Sequence, residues 1–349
     1  MISTQNCQVD ISLLKEISDK ETMIWVSFSK KELFNATESC NNLSISGPDK
    51  LSWRHLKEII KNEECTNRLI DIVNTCIDLG YWPSYFKMLF MVIIPKPNKA
   101  SYDLPKSFQP IVLLNTTDKL FKKMIGERIQ FSSISNNFIH PCQLDRLKHR
   151  STTDADIALT HFIRLGWVKN LTMSMLAFDI AQFFPLLNHQ LLPLILAKAG
   201  FNHKISNFFK NYLVGRKTKY LWNSFSSLFC NVDIGVSQEL VLLPILSALY
   251  LSPIFYILEN HLKNLKIPIS ILFFVDDGLF ITQHKFISVS NVNLYCSYNV
   301  ISVLLTRFGL VVEHGKTEVF HFSRSHRVFN LPSLDLTALE SSMLLPKTT

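Results

Sequence analysis

The sequence predicts an α+β fold, or the related α/β layered arrangement, built around a buried sheet. Apolar stretches typical of strands alternate along the chain with longer segments of helical periodicity. Hydrophobic residues make up 47% of the 349 residues, which is enough for a large core and, by length, about two structural units. Acidic residues interrupt two of the apolar strands, and these acids direct the functional analysis.

The N-terminal half predicts a polar flank, a turn, and then strands that alternate with helices. Residues 1–42 are mixed and polar, without the basic start and apolar core of a secretory signal. Residues 47–49 (GPD) form a turn before a helix of clear apolar spacing. The stretch FKMLFMVIIPKPNKA (86–100) predicts a strand that enters a loop rich in proline and lysine. A second strand, FQPIVLLN (108–115), precedes a basic amphipathic helix.

The C-terminal half continues the alternation and ends in an apolar hairpin followed by a helix and further strands. In SILFFVDDGLFIT (270–282), the pair Asp277-Gly278 between two apolar runs predicts a hairpin turn. Taken alone, that stretch needs its acids only as turn formers. The other predicted elements are a strand at 171–186, a helix at 187–200, a strand near 229–236, a helix at 240–258 and strands within 311–323.

Charge and cysteine content limit the class of protein. The chain has 36 Lys and Arg against 28 Asp and Glu, so its net charge of +8 permits a polyanionic partner without identifying one. The seven cysteines form no C-x-x-C pair, and no His cluster has zinc spacing. We therefore predict a reduced intracellular chain without a structural metal, in which the thiols serve as packing residues.

Residues 240–258 contain no charged residue and are long enough to span a bilayer, so a membrane protein is one alternative. Pro244 and Pro253 interrupt the stretch, and Glu239 and Glu259 bound it. A buried helix at the centre of a large domain explains the same pattern.

Three carboxylates form the candidate catalytic and metal site. Asp179 stands alone in an apolar strand, and a buried carboxylate is costly unless it is paired or binds a metal. If that strand lies beside the hairpin, Asp179 converges with Asp276 and Asp277. Such a cluster suits two divalent cations about 4 Å apart, and Mg²⁺ is the natural choice because it takes hard oxygen ligands.

Blocks in uninterrupted order resemble the reverse transcriptase domain of non-LTR (LINE-like) retrotransposons, most closely those of fungi. The resemblance covers about residues 43–325. The blocks are GPD (47–49), IIPKPNK (93–99), FQPIVLLNTTDKLFKKMIGERI (108–129), QLDRLKHRSTTDA (143–155), LAFDIAQFFP (176–185), GVSQELVLLPILSALY (235–250), FVDDGLFI (274–281) and GLVVEHGKTEVFHFS (309–323).

The resemblance implies a right-hand polymerase with fingers near residues 43–168 and a palm near 169–325. Residues 1–42 are then a poorly defined flank, and 326–349 an irregular tail that stops before the primer grip and thumb. On this expectation the thumb is missing. The implied partners are an RNA template, a DNA primer and deoxynucleoside triphosphates, with two Mg²⁺ ions as cofactors and the nucleus as the place of action.

The resemblance also implies roles for individual residues. The three carboxylates match the metal-binding triad, with Asp179 and Asp276 as the direct ligands. The matching positions assign Phe184 to exclusion of a 2′-hydroxyl, Lys96 and Lys99 to the triphosphate and template, Arg150 to the template, Gln238 to the nascent base pair, and Lys316 to the leaving pyrophosphate.

Several positions depart from the family pattern, which leaves a catalytic polymerase and a non-catalytic nucleic-acid-binding relic as alternatives. Glu239 follows Gln238 where the family has glycine, and Gln109 stands where an Arg is expected to hold the triphosphate. Asp145 and Arg146 occupy what resembles a glycine-rich turn. Each change can arise from a C-to-T transition, so we hypothesise a copy decaying by cytosine deamination. An even mixture of transitions and transversions against intact copies would contradict this hypothesis.

Overall fold

The computed structural model describes residues 9–144, 150–232, 235 and 242–324. The chain divides into two compact units, each assembled from discontinuous segments. Within the described residues, unit I contains 9–10, 140–183 and 251–324, and unit II contains 11–139 and 184–250, with the gaps given above. The units therefore do not coincide with the sequence-predicted ranges 43–168 and 169–325, and the predicted tail 326–349 lies outside the described residues.

Helices and strands alternate along the described chain, as predicted for a mixed fold. The helices are α1 (Lys30–Glu38), α2 (Trp53–Ile59), α3 (Glu63–Asp78), α4 (Thr116–Ser135), α5 (Thr152–Val168), α6 (Phe183–Leu186), α7 (Leu191–Lys198), α8 (His203–Leu213), α9 (Leu243–Asn264) and α10 (Ile287–Arg307). The strands are β1 (Met88–Pro95), β2 (Phe108–Leu113), β3 (Thr172–Ala181), β4 (Arg216–Trp222), β5 (Phe225–Ser226), β6 (Cys230–Val232), β7 (Ser270–Phe274), β8 (Asp277–His284), β9 (Val311–Val312) and β10 (Glu318–Phe322).

Unit I is built on a sheet with the order β10-β3-β8-β7, in which β9 also pairs with β3. Strand β3 lies antiparallel to β8, with the register running from Thr172 opposite His284 to Asp179 opposite Asp277. Both faces of the sheet are covered. Met173, Met175 and Ile281 form a core that packs against apolar residues of α5, while the Phe178 ring packs on Phe280 and Tyr298 on the opposite face.

The hairpin is confirmed, but its turn is not the predicted Asp-Gly pair. Phe274 pairs with Asp277, so the two turn residues are Val275 and Asp276, and Gly278 lies inside β8 opposite Phe273. Gly278 is required for space. A Cβ there would lie 2.5 Å from Cζ of Phe178 and 2.6 Å from Cε2 of Phe273. The glycine therefore allows two aromatic rings to close over the backbone beside the acids.

Unit II contains a second sheet with the order β2-β1-β4-β5, in which β6 pairs with β4. Strand β1 is antiparallel to β2 and parallel to β4, as expected when a long helical segment separates two paired strands. Aromatic residues pack beside this sheet at ring-centroid distances between 5.4 and 6.4 Å from the fully buried Trp82. They are Phe86, Phe121, Phe208 and Tyr212.

The described part of the polar flank is more structured than its composition predicts. Helix α1 begins at a capping box formed by Ser29 and Glu32, and it buries Leu33 completely. The Arg128 guanidinium lies 5.0 Å from the Trp25 ring centre and pairs with Glu32. Composition does not predict cation–π and ion-pair contacts between residues far apart in the sequence. These contacts explain why the flank is more structured than its composition predicts.

Helix α9 accounts for the long apolar stretch. It is the one helix in the described chain that is long and apolar enough to cross a bilayer, and 78% of its most apolar window is buried inside the protein. Burial of this kind is typical of a core helix. Pro253 lies inside α9 without ending it.

The cysteines of the described chain are free thiols, and their burial varies. Cys76 and Cys142 are buried, as expected of packing residues, and burial raises the pKa of both. Cys65 and Cys230 are exposed, so the packing interpretation does not hold for them.

We expect Gly278→Ala to destabilise the fold by about 1–3 kcal/mol, because the added Cβ overlaps the two aromatic rings beside it. Urea unfolding of the purified chain measures the change. Gly315→Ala is the matched control, since its Cβ would meet nothing closer than 3.8 Å. Equal midpoints for the two variants would contradict the assigned role of Gly278.

Candidate active site

Strand pairing brings the three acids to one end of the unit I sheet. Asp179 is near the end of β3 and lies directly opposite Asp277, the first residue of β8. The next backbone group continues the pairing, because the Ile180 N–H donates to the Asp276 carbonyl at 3.0 Å. The predicted convergence of Asp179 with the hairpin acids is therefore present in the backbone register.

The turn before Asp277 has an uncommon backbone conformation. Val275 has a φ of 59°, in the left-handed region that β-branched residues rarely adopt. Such a conformation costs about 1–3 kcal/mol and persists only where the surrounding structure enforces it. Here the enforcement comes from the β7–β8 pairing on both sides of a two-residue turn. The turn sets the backbone direction from which the Asp276 side chain projects.

Lys316 forms an ion pair with Asp179. Its Nζ lies 2.5 Å from Oδ2 of Asp179, and the side chains are 66% and 15% exposed, respectively. The hydrogen bond and the negative charge of Asp179 raise the pKa of Lys316, so the ammonium form is favoured. The Glu313 N–H also donates to the Asp179 carbonyl at 2.8 Å, which ties the segment before Lys316 to the strand that carries Asp179.

The two hairpin acids share an unfavourable electrostatic environment. Burial raises the pKa of Asp276, and the charges of Asp179 and Asp277 raise it further, against the lowering effects of a backbone hydrogen bond and Lys316. Burial and the Asp179 charge likewise raise the pKa of Asp277. Neighbouring carboxylates with raised pKa values are typical of sites that bind cations or transfer protons.

The donor chemistry of this cluster fits Mg²⁺, although no complete metal-binding group forms in the part of the chain that the structure describes. Within the described residues, no three His, Cys, Asp or Glu side chains lie close enough together to hold a metal ion. The Lys316 ammonium lies against one Asp179 oxygen and supplies positive charge there. The three acids are hard oxygen donors of the kind that Mg²⁺ prefers. Burial and neighbouring negative charge raise the pKa of Asp276 and of Asp277. The assignment of Asp179, Asp276 and Asp277 as metal ligands stays a prediction.

The other predicted site residues are distributed between the units. Arg150 belongs to unit I, and its guanidinium donates to the Gln143 carbonyl, a contact within the protein. Lys96, Lys99 and Phe184 belong to unit II. The Lys96 backbone is anchored by hydrogen bonds to Ser107 at 2.9 Å and Tyr102 at 2.8 Å. Lys99 is exposed on the loop after β1, and Phe184 is half-buried in α6.

Some of the positions singled out in the sequence are not among the described residues. Gln238 lies outside the described residues, as do Glu239, Asp145 and Arg146. Gln109, the residue that stands where an Arg is expected, lies in β2 opposite Ile94 and is exposed.

Unit II also contains a groove that sequence analysis missed. Its volume is about 640 Å³, and it is lined mainly by apolar side chains of β1, β2 and β4. Aromatic rings are prominent in it: Phe108 lies 5.6 Å from Trp222 and 5.9 Å from Tyr102 between ring centres. The alternation of Thr218, Tyr220 and Trp222 along β4 is the sequence signal that could have indicated a shared face.

At the end of this groove the backbone at Gly235 approaches the backbone at Pro185 closely. Gly235 has a φ of 78°, and a Cβ there would lie 2.3 Å from the Pro185 carbonyl oxygen. The Gly235 carbonyl accepts hydrogen bonds from His189 at 2.7 Å and from the buried Arg216 at 3.1 Å. These contacts fix the backbone next to Pro185, the neighbour of Phe184. Only glycine fits both the conformation and the space.

Comparison with known proteins defines the class. The chain belongs to the reverse transcriptase (RNA-dependent DNA polymerase) family, whose sequence profile matches residues 94–341, more than half of the chain. The mixed helix and sheet architecture is consistent with that family.

The chain is similar to two transposon polymerases from Drosophila melanogaster. The chain is 27% identical over 179 residues to a probable RNA-directed DNA polymerase from transposon X-element. It is 25% identical over 179 residues to a probable RNA-directed DNA polymerase from transposon BS. Each alignment covers 51% of this chain and 20% of the relative, so the chain matches about one fifth of the length of these proteins.

We predict that Asp276→Asn raises the unfolding temperature at about pH 7, measured in chelator, and that this gain disappears near pH 3. The raised pKa means that the folded state holds the Asp276 proton to a higher pH than the unfolded chain does. Ionisation therefore lowers stability as pH rises through this range, and the amide removes that penalty.

Asp71→Asn, at an exposed position of α3, is the matched control and should leave the unfolding temperature unchanged at both pH values. A lower unfolding temperature for Asp276→Asn at about pH 7 would show that the Asp276 charge stabilises the fold instead.

Proposed function

We propose that this chain forms the fingers and palm of an RNA-directed DNA polymerase from a non-LTR retrotransposon of the fungal type. The observation that carries the proposal is the β3–β8 register, which sets Asp179 opposite Asp277 with Asp276 in the adjoining turn. Membership of the reverse transcriptase family and the similarity to transposon polymerases support it.

The reaction proposed is template-directed nucleotidyl transfer. The primer 3′-oxygen forms a bond to the α-phosphorus of a deoxynucleoside triphosphate, the bond to the β-phosphate oxygen breaks, and pyrophosphate leaves. Asp179, Asp276 and Asp277 would hold two Mg²⁺ ions, which when bound lower the pKa of the attacking hydroxyl and stabilise charge on the phosphates. Lys316, already beside Asp179, would face the leaving pyrophosphate as a cation.

Unit II supplies features suited to nucleotide and template binding. The exposed Lys99 and the neighbouring Lys96 offer cations for the triphosphate and template, and Phe184 would exclude a 2′-hydroxyl. The groove with Tyr220 and Trp222 in its wall offers aromatic faces on which bases can stack. We place Gln238 at the nascent base pair and Arg150 near the template by the same resemblance, and we place the protein in the nucleus.

A non-catalytic nucleic-acid-binding relic is the second candidate. It is favoured by Gln109 and Glu239, which replace an expected Arg and glycine. Loss of the Arg charge weakens triphosphate binding, and Glu239 adds negative charge next to two polyanions. Both candidates bind nucleic acid in a salt-dependent manner, so binding alone does not separate them.

Primer extension on an RNA template with the purified chain separates the two candidates. We expect Mg²⁺-dependent extension that chelator abolishes and that Asp276→Asn reduces more than about 100-fold, because a lost metal ligand removes several kcal/mol of transition-state stabilisation. Asp71→Asn should extend as well as the unchanged protein.

Folded protein that binds the primer–template but extends it no faster in Mg²⁺ than in chelator would support the relic and reject the polymerase. Extension that Asp276→Asn leaves intact would reject the assigned carboxylate site.

A further inference from the structure

Tyr298 of α10 is buried completely and uses its hydroxyl to hold a neighbouring turn. The phenolic oxygen lies 2.6 Å from Nδ1 of His314 and 3.2 Å from Oγ1 of Thr317. A hydroxyl can donate one hydrogen bond and accept others, so it can engage both partners together. Burial raises the pKa of the Tyr298 phenol, and the group therefore keeps its proton to donate at neutral pH.

The turn held by Tyr298 carries Lys316. Residues His314–Lys316 form one short 3-10 helix, closed by hydrogen bonds from the Lys316 N–H to the Glu313 carbonyl at 3.0 Å and from the Thr317 N–H to the His314 carbonyl at 3.2 Å. The Lys316 side chain is 66% exposed. Because a lysine side chain is long and flexible, the position of its ammonium group depends on how firmly its turn is fixed.

The Tyr298 ring also contacts β3, the strand that carries Asp179. Its centre lies 5.9 Å from that of Phe178, in an edge-to-face arrangement. Phe178 precedes Asp179 in β3, and its ring lies over Gly278, the neighbour of Asp277. Tyr298 thus connects β3, which carries Asp179, through its ring with the turn carrying Lys316 through its hydroxyl.

We propose that Tyr298 is a positioning residue that, through His314 and Thr317, keeps the Lys316 ammonium on Asp179. The inference rests on the proposed function for its catalytic consequence, although the ion pair itself is independent of that function. The alternative is that Tyr298 only fills space under the sheet. The two roles differ in whether the hydroxyl matters. Tyr298→Phe separates them, because it keeps the ring and its packing while removing both hydrogen bonds.

Amine labelling tests the positional claim without requiring polymerase activity. A reagent that acylates neutral amines is applied to folded protein, and modification is followed by peptide mass spectrometry, with Lys266 as an exposed internal reference. The Nζ of Lys316 is held 2.5 Å from Oδ2 of Asp179, so its labelling should be slow relative to that of the exposed Lys266. Tyr298→Phe should increase the Lys316 rate about threefold or more, because a lysine released from this ion pair is open to the reagent.

Tyr295→Phe, the same chemical change three residues earlier on α10, is the matched control and should leave Lys316 labelling unchanged. If Tyr298→Phe also leaves the Lys316 rate unchanged, the positioning role is wrong and Tyr298 is a packing residue. If Tyr298→Phe increases the rates of Lys316 and Lys266 equally, the variant has loosened the fold generally, and the specific claim is likewise rejected.

Primer extension then tests the catalytic consequence. Tyr298→Phe should lower kcat about tenfold with little change in KM, since both hydrogen bonds of the hydroxyl are lost outside the substrate contacts. In a Lys316→Met background the same change should cause no further loss, because Tyr298 acts through Lys316. An equal loss of kcat on Tyr298→Phe with and without Lys316 would show that Tyr298 does not act through Lys316. Absence of extension by the unchanged protein would reject the proposed function, while the labelling result still decides the positioning role.

Discussion

The antiparallel register between β3 and β8 is the constraint on which the site depends. It sets Asp179 opposite Asp277, and a slip of one residue would turn every side chain of one strand to the other face. Apolar packing enforces the register, because Met173 and Met175 belong to one core while Phe178 belongs to the other. The positions of the charged groups are therefore determined by residues that have no chemical role.

This arrangement concentrates negative charge at a place where ionised carboxylates lower the stability of the fold. Burial and the neighbouring charges disfavour ionisation of Asp276 and Asp277, and the turn between β7 and β8 adds a left-handed valine. Lys316 offsets part of this charge from a turn held by Tyr298. Local strain of this kind clusters at functional sites.

The sequence allowed the strands, the hairpin and the approach of Asp179 to that hairpin to be predicted, because alternation and interrupted apolar runs are local signals. It misassigned the turn, since Asp277-Gly278 has turn composition while Gly278 serves close ring packing. It could not predict the Lys316–Asp179 contact, whose partners are 137 positions apart, or the aromatic groove. Arg150 is assigned to the template by resemblance alone, and its guanidinium donates a hydrogen bond to the Gln143 carbonyl.

Titration with Mn²⁺, followed by electron paramagnetic resonance, shows whether the three carboxylates bind metal, because Mn²⁺ takes the same oxygen ligands as Mg²⁺ and reports binding without catalysis. We expect saturable binding by the purified chain that weakens about tenfold or more in Asp179→Asn and in Asp277→Asn, while Asp71→Asn binds like the unchanged protein. Equal Mn²⁺ affinity in all four proteins would contradict the claim that these opposed carboxylates form the metal site.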